Sequence, residues 1–273
     1  GEDALHREWK IFPTEKELGK AAAGEIRDVL KEKPDALLCL AAGHSSLCVF
    51  EEMIRMQNAG EADFSRARIV GLDEWSGMGR EDDGSCAGFL WKNLFSRLPI
   101  PEENIRLFDG LCRDREAECS RIEAHIRERG GIDYILLGIG MNGHLALNEP
   151  GTDFSLGAHV AALSETTKTV GQKYFENPTP LSEGITLGIR NITQSRRITL
   201  VINGERKQDI TAALFSSEIT PALPATALKL AGGAKVFADR AAAQKILREG
   251  LGVLDDETAG SDGFEQETDL RRA

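Results

Sequence analysis

The residues of this chain best suited to moving protons fall at the ends of two apolar runs. One set closes the stretch Ile132 to Gly151, I-D-Y-I-L-L-G-I-G-M-N-G-H-L-A-L-N-E-P-G. Tyr134 to Leu137 reads as a strand buried on both faces. Gly138, Gly140 and Gly143 then let the backbone bend sharply or approach a ligand closely. Asn142, His144, Asn148 and Glu149 follow before Pro150 and Gly151. Histidine gives and takes a proton near neutral pH, and a carboxylate beside it can set its tautomer. The second set is Asp73-Glu74-Trp75, after the run Arg68 to Leu72. Adjacent carboxylates at a strand end point to opposite sides, so their roles should differ. A positioned carboxylate of this kind can abstract a proton next to a carbonyl or imine.

Two glycine-containing turns are candidates for holding an anion. Ala36 to Ala42 is an apolar run entering Gly43-His44-Ser45-Ser46, and Leu47, Phe50, Met53 and Ile54 then repeat at helical spacing. Strand, turn and helix in this order present backbone N–H groups and hydroxyls at a helix N-terminus. The Walker spacing and G-x-G-x-x-G are both absent. A second turn, Gly204-Glu205-Arg206-Lys207, follows the run Ile198 to Ile202.

The remaining elements must position these groups. Thr14-Glu15-Lys16-Glu17 has the form of a capping box. Leu18, Ala22, Ile26 and Leu30 follow on one helical face, and Pro34 ends the helix. Phe89 to Leu98 is expected to be helical and Glu102 to Leu111 irregular. Asp114 to Arg129 reads as a charged helix with Ala117, Ile122 and Ile126 inward. The long connection from Thr152 to Glu183, with a helical piece at Thr169 to Phe175, has the length of a functional loop or lid. Ile185 to Ile189 and Ala234 to Ala238 read as strands, and Ala241 to Leu247 as a helix. Strands alternating with helices predict an α/β fold with a mainly parallel, Rossmann-like sheet flanked by helices. Residues 1–251 are expected to form one domain. The acidic, Gly- and Ser-containing stretch 252–273 is expected to be a disordered tail.

Composition narrows the class. The chain has 273 residues, 41% hydrophobic and 28% charged, with a net charge of −11. That supports a sizeable core and argues against a nucleic-acid surface, while leaving room for a phosphorylated ligand held by local donors. No apolar run reaches the ~20 residues of a membrane span, and the first residues lack a signal-peptide layout. The five cysteines include no C-x-x-C pair and no zinc spacing. Free thiols in a reducing cytoplasm are therefore expected.

Read together, these segments resemble the glucosamine-6-phosphate deaminase/isomerase family. The likeness rests on G-I-G-M-N-G-H-L-A-L-N-E-P-G, on L-D-E-W at Leu72 to Trp75, on A-A-G-H-S-S at Ala41 to Ser46 and on the G-x-x-K of Gly204 to Lys207. It extends over roughly residues 10 to 245. It implies a metal-free, cofactor-free reaction on a small-molecule amino-sugar 6-phosphate. The ring opens, a proton moves from C2 to C1, and ammonia leaves to give a ketose 6-phosphate. By position, the resemblance makes Asp73 the proton-shuttling base and His144 the ring-opening group, oriented by Glu149 with Asn142 beside it. Gly43, His44, Ser45, Lys173 and Lys207 become the phosphate contacts, and Glu74 joins the substrate-binding set. Asn142 stands where well-known members carry Asp, His44 where Gly is common, and Lys173 where many have Arg. The galactosamine 6-phosphate substrate, 6-phosphogluconolactonase-type lactone hydrolysis and a sugar-phosphate sensor are the alternatives. Either a monomer or a homo-oligomer fits.

Overall fold

A computed structural model describes residues 8–249 together with 253–254 and 268–272. Seven strands form its central parallel sheet. They are β1 (Trp9–Phe12), β2 (Leu37–Leu40), β3 (Arg68–Val70), β5 (Ile105–Arg106), β6 (Tyr134–Leu137), β9 (Arg197–Ile202) and β10 (Lys235–Asp239). Their order is β1-β10-β9-β6-β2-β3-β5, and every neighbouring pair is parallel. The expected α/β architecture is therefore present. The stretch from 252 lies mostly outside the described residues. Within it, β11 (Val253–Leu254) pairs antiparallel with β12 (Thr268–Arg272), which continues the sheet beside β1.

The alternation of side chains along the strands divides the interior in two. Leu38, Leu40, Tyr134 and Leu136 face a core closed by α1 (Glu15–Glu32), α2 (Leu47–Asn58) and α3 (Cys86–Asn93). Leu37, Cys39, Ile135 and Leu137 face the other, under α4 (Arg115–Glu128), α6 (Ile189–Gln194), α7 (Gln208–Ser216) and α8 (Arg240–Glu249). Burial on both faces explains why these strands read as unbroken apolar runs. Thr14 caps α1 by accepting from the backbone N–H of Glu17 at 3.3 Å, and Leu18, Ala22, Ile26 and Leu30 are all buried.

Chain direction across the sheet reverses between β2 and β6. From β2 the next strands run outward to β3 and β5; from β6 they run the other way to β9 and β10. Such a reversal opens a crevice at the carboxyl ends of the two strands. The turns at Gly43 and Gly138 both leave the sheet there.

A second, three-stranded antiparallel sheet stands beside this crevice. It consists of β4 (Asp73–Trp75), β8 (Glu183–Thr186) and β7 (His159–Ala162), with Asp73 opposite Thr186. It departs from the sequence reading in two ways. The run near Ile185 belongs to this small sheet rather than the parallel one, and the long connection supplies a strand of its own. Elsewhere, β1 was not anticipated, and β5 occupies a segment expected to be irregular. Helix α3 starts at Cys86 rather than Phe89 because Ser85 caps it and a carboxylate distant in sequence, Glu74, receives its first N–H groups. In α4, Ala117 is exposed, whereas Cys119, Ile122 and His125 are buried and Ile126 partly so. Asp114 caps that helix at Ala117, and the ion pair with Arg121 lets Glu118 turn inward instead.

None of the described helices is long and apolar enough to cross a membrane. All five cysteines are free, and Cys39 is fully buried in β2.

The seating of α2, and with it the turn at its start, depends on one close approach. A Cβ at Gly19 of α1 would lie 2.5 Å from the carbonyl oxygen of Cys48 in α2. A Cβ at Gly24, one turn on, would meet only the guanidinium of Arg27 at 3.6 Å. Gly19→Ala should lower the unfolding free energy by about 1–3 kcal/mol, as overpacking does. Gly24→Ala should leave it unchanged or raise it by about 0.5–1 kcal/mol. Urea denaturation of the two variants checks the contrast.

Candidate active site

The crevice holds a cavity bounded by the turns after β2 and β6, by β4, by the start of α3 and by α5 (Glu165–Gly171) with its 3-10 extension to Tyr174. Of the expected site residues, Gly43, His44, Ser45, Asp73, His144, Lys173 and Lys207 line it. Asn142, Glu149 and Glu74 do not.

Asn142 and Glu149 stand behind the imidazole. Three acceptors surround Nδ1 of His144: Oδ1 of Asn142 at 2.8 Å, Oε1 of Glu149 at 3.1 Å and Oγ1 of Thr167 at 3.1 Å. Asn142 is oriented by its own bonds, its amide donating to Ser164 Oγ at 3.1 Å and its carbonyl accepting from the His144 backbone N–H at 3.2 Å. Thr167 spends its hydroxyl proton on Glu149 Oε1 at 2.8 Å, and the Ser164 backbone N–H donates to Oε2. Burial pushes the Glu149 carboxyl up, but the bonds from His144, Ser164 and Thr167 outweigh it and hold the group at about 2. With only acceptors around it, Nδ1 carries the proton, which leaves Nε2 bare on a ring that lines the cavity. The network fixes this tautomer by its bonding pattern.

The backbone grips the same ring. A Cβ at Gly140 would sit 2.3 to 2.5 Å from three atoms of the imidazole, so the ring packs over the bare glycine and no side chain is tolerated there. Between His144 and Glu149 the loop passes through Ala146, whose φ of 53° is the one positive value among the described non-glycine residues. Such a conformation persists where the surroundings over-determine it. Asn148 does so here: fully buried, it donates to the carbonyls of Leu145 at 3.0 Å and Leu187 at 2.8 Å.

The two adjacent carboxylates do separate, as strand geometry requires. Asp73 and Trp75 face the cavity. Burial pushes the Asp73 carboxyl up to about 6, against the pull of the Cys86 thiol and of His144. Glu74 faces away. Its side chain accepts from the backbone N–H groups of Trp75 at 3.0 Å, Cys86 at 2.8 Å and Ala87 at 2.9 Å, and it is buried. The expectation that Glu74 contacts substrate is therefore corrected. It anchors the N-terminus of α3, where a carboxylate complements the helix dipole.

Cations line the same cavity. The Lys207 ammonium donates to the carbonyl of Ile139. Burial, reinforced by Lys173, lowers its pKa to about 8. Lys173 is lowered by burial and by Arg206, and His44 by burial and by Lys173. Neither lysine has a carboxylate partner among the described residues. Two ammonium groups facing one cavity beside a helix-start turn form a setting for an anion. Asn203 steadies that turn by donating to the Ser45 carbonyl at 3.1 Å. Among the described residues no group of three or more His, Cys, Asp or Glu is placed to hold a metal ion.

Sequence reading missed Ser164, Thr167, Tyr174 and Cys86. Ser164 and Thr167 carried one local signal, since Ser164 caps α5 by accepting from the Thr167 backbone N–H at 3.2 Å. That the cap also meets Glu149 and His144 is a tertiary fact with no local sign.

Known proteins resemble this chain in sequence and fold. The model of the family described as glucosamine-6-phosphate isomerases/6-phosphogluconolactonase matches residues 14–237. A glucosamine-6-phosphate deaminase of Clostridium perfringens is 35% identical over 231 residues, 84% of this chain and 96% of that protein. One from Bacillus pumilus is 36% identical over 232 residues, 85% and 96% of the two chains. Among solved structures, a monomeric glucosamine-6-phosphate deaminase superposes with a TM-score of 0.84 at 34% identity, covering 87% of this chain and 99% of its own. A 6-phosphogluconolactonase from Trypanosoma brucei, at 19% identity and a TM-score of 0.67, shares the fold. With a family model spanning most of the sequence and relatives of this similarity, the chain belongs to the glucosamine-6-phosphate isomerase/6-phosphogluconolactonase family.

Proposed function

We propose that the cavity takes an amino-sugar 6-phosphate, isomerises it and releases ammonia, giving fructose 6-phosphate from glucosamine 6-phosphate. The observation that carries this reading is that one cavity holds both a proton-transfer pair and an anion setting. A carboxylate raised toward neutrality and an oriented imidazole line it together with two lysines that have no carboxylate partner among the described residues. The phosphate sits against the two lysines. Nε2 of His144 takes the proton of the anomeric C1 hydroxyl and passes it to the ring oxygen as the bond from C1 to that oxygen breaks, so that the sugar opens to its aldehyde. Asp73 removes the C2 proton while the substrate's ammonium gives a proton to the aldehyde oxygen, forming an enolamine; Asp73 returns its proton to C1, leaving a protonated imine at C2. Water hydrolyses that imine to the ketone and ammonia. A base whose pKa lies near the working pH is efficient at such a transfer.

Lactone hydrolysis is the second reading, and it leaves Asp73 without a task, because no carbon-bound proton moves. The curated relatives at 33–38% identity are named as deaminases, which also supports the first reading.

Ammonia release from a panel of hexosamine 6-phosphates tests the proposal. Dialysed protein in EDTA should turn over at least one of the gluco and galacto substrates. Asp73→Asn should lower turnover by ~10²–10⁴-fold with little change in phosphate affinity. Because burial raises the Asp73 pKa to about 6, its base form prevails above that pH. kcat/KM should therefore fall as pH drops through about 6 in the wild type. Hydrolysis of a 6-phospholactone with no ammonia from either amino sugar would overturn the reading.

Lys207→Ala tests the anion setting. Loss of one charge-assisted contact, roughly 1.5–3 kcal/mol, should raise KM for the phosphorylated substrate about tenfold or more. In the wild type, KM should also rise as pH passes about 8, where the buried ammonium loses its proton. Equal discrimination between hexosamine 6-phosphate and free hexosamine in variant and wild type would remove Lys207 from the site.

A further inference from the structure

The Tyr174 side chain stands over the anion turn in a way that packing alone does not explain. Its hydroxyl oxygen accepts from the backbone N–H of His44 at 3.3 Å, and a Cβ at Gly43 would lie only 3.2 Å from it. Gly43 has φ of 141°, which a side chain would strain in any case. The ring is fixed from two sides. Its centroid lies 4.8 Å from that of His44 and 5.8 Å from that of Phe89, the latter edge-to-face. The hydroxyl thus has a set position on the wall that also presents Ser45, Lys173 and Lys207.

A phenol is both donor and acceptor. Here the acceptor side is used, while the proton has no acceptor among the described residues. Burial raises the phenol's pKa, so that proton is retained throughout the neutral range. A donor held at a helix-start turn, in a cavity that two ammonium groups also line, matches an oxygen anion.

We propose that the Tyr174 hydroxyl is a ligand of the substrate's phosphate, donating its proton to a phosphate oxygen while it goes on accepting from the His44 N–H. This rests on the reading that the cavity binds a sugar phosphate, and it adds a contact to the anion setting. The bridge couples the segment carrying Thr167 to the anion turn. That one segment therefore touches His144 and Glu149 through Thr167 and the anion turn through Tyr174.

Tyr174→Phe separates this role from packing, because the ring stacking on His44 and Phe89 is kept. Titration calorimetry with inorganic phosphate measures the cradle directly, without turnover. The dissociation constant for phosphate should rise about tenfold to a hundredfold in the variant, the range for a hydrogen bond to a charged group. With hexosamine 6-phosphate as substrate, KM should rise in step while kcat stays within about twofold. The thermal midpoint of the unliganded protein should stay close to that of the wild type. A dissociation constant that is unchanged or smaller in Tyr174→Phe overturns the assignment, and so does a wild-type protein that binds no phosphate. A wild type that binds phosphate but deaminates no amino-sugar phosphate would refute the proposed reaction and leave the Tyr174 contact standing.

Discussion

The imidazole of His144 rests on the backbone of Gly140, and one residue earlier the carbonyl of Ile139 takes the ammonium of Lys207. These two residues just beyond β6 thus hold the proton-transfer group and the cationic group on one short piece of chain. Gly138 belongs to the same arrangement, since a Cβ there would come within 4.0 Å of Ser45 in the turn after β2. The sheet makes this possible. β2 and β6 are adjacent and parallel, so their carboxyl ends open side by side at the point where strand order reverses. Whatever displaced the exit of β6 would disturb His144 and Lys207 together.

Burial acts on the site in opposite senses, and bonding decides the outcome. Asp73 is pushed up because little compensates its loss of water. Glu149 suffers the same penalty and is nevertheless held low, because three residues donate to it. Two carboxylates in one site thereby acquire different states, one able to take a proton near neutral pH and one fixed as an anion. Asn142 fits this division. It accepts from Nδ1 but carries no charge, so electrostatic support for an imidazolium comes from Glu149. Thr167 completes the set by donating to the carboxylate and accepting from the ring.

Much of this was legible in the sequence because it is local. The apolar runs at Leu37 to Leu40 and Tyr134 to Leu137, the capping residue Thr14, and the glycine turns at Gly43 and Gly204 all announce themselves within a few residues. Period-2 geometry also indicated that Asp73 and Glu74 part company, although not which of them faces the ligand. The illegible part is tertiary. Glu74 looked like a site residue because nothing nearby in sequence shows the α3 N-terminus that it caps from twelve residues away. β5 is two residues long and exists only because β3 offers it an edge. Thr167 and Tyr174 sit in a polar connection whose composition gives no sign that it folds back over the cavity.

The central claim is that acceptors on one side of His144 hold the proton on Nδ1 and leave Nε2 free to exchange a proton with substrate. Nitrogen-15 NMR of the protein labelled at its histidine rings reads this directly. Through the pH range in which the ring is neutral, the His144 signals should show a protonated Nδ1 and an unprotonated Nε2. A neutral ring carrying its proton on Nε2 would contradict the account, because the nitrogen facing the cavity could then no longer accept.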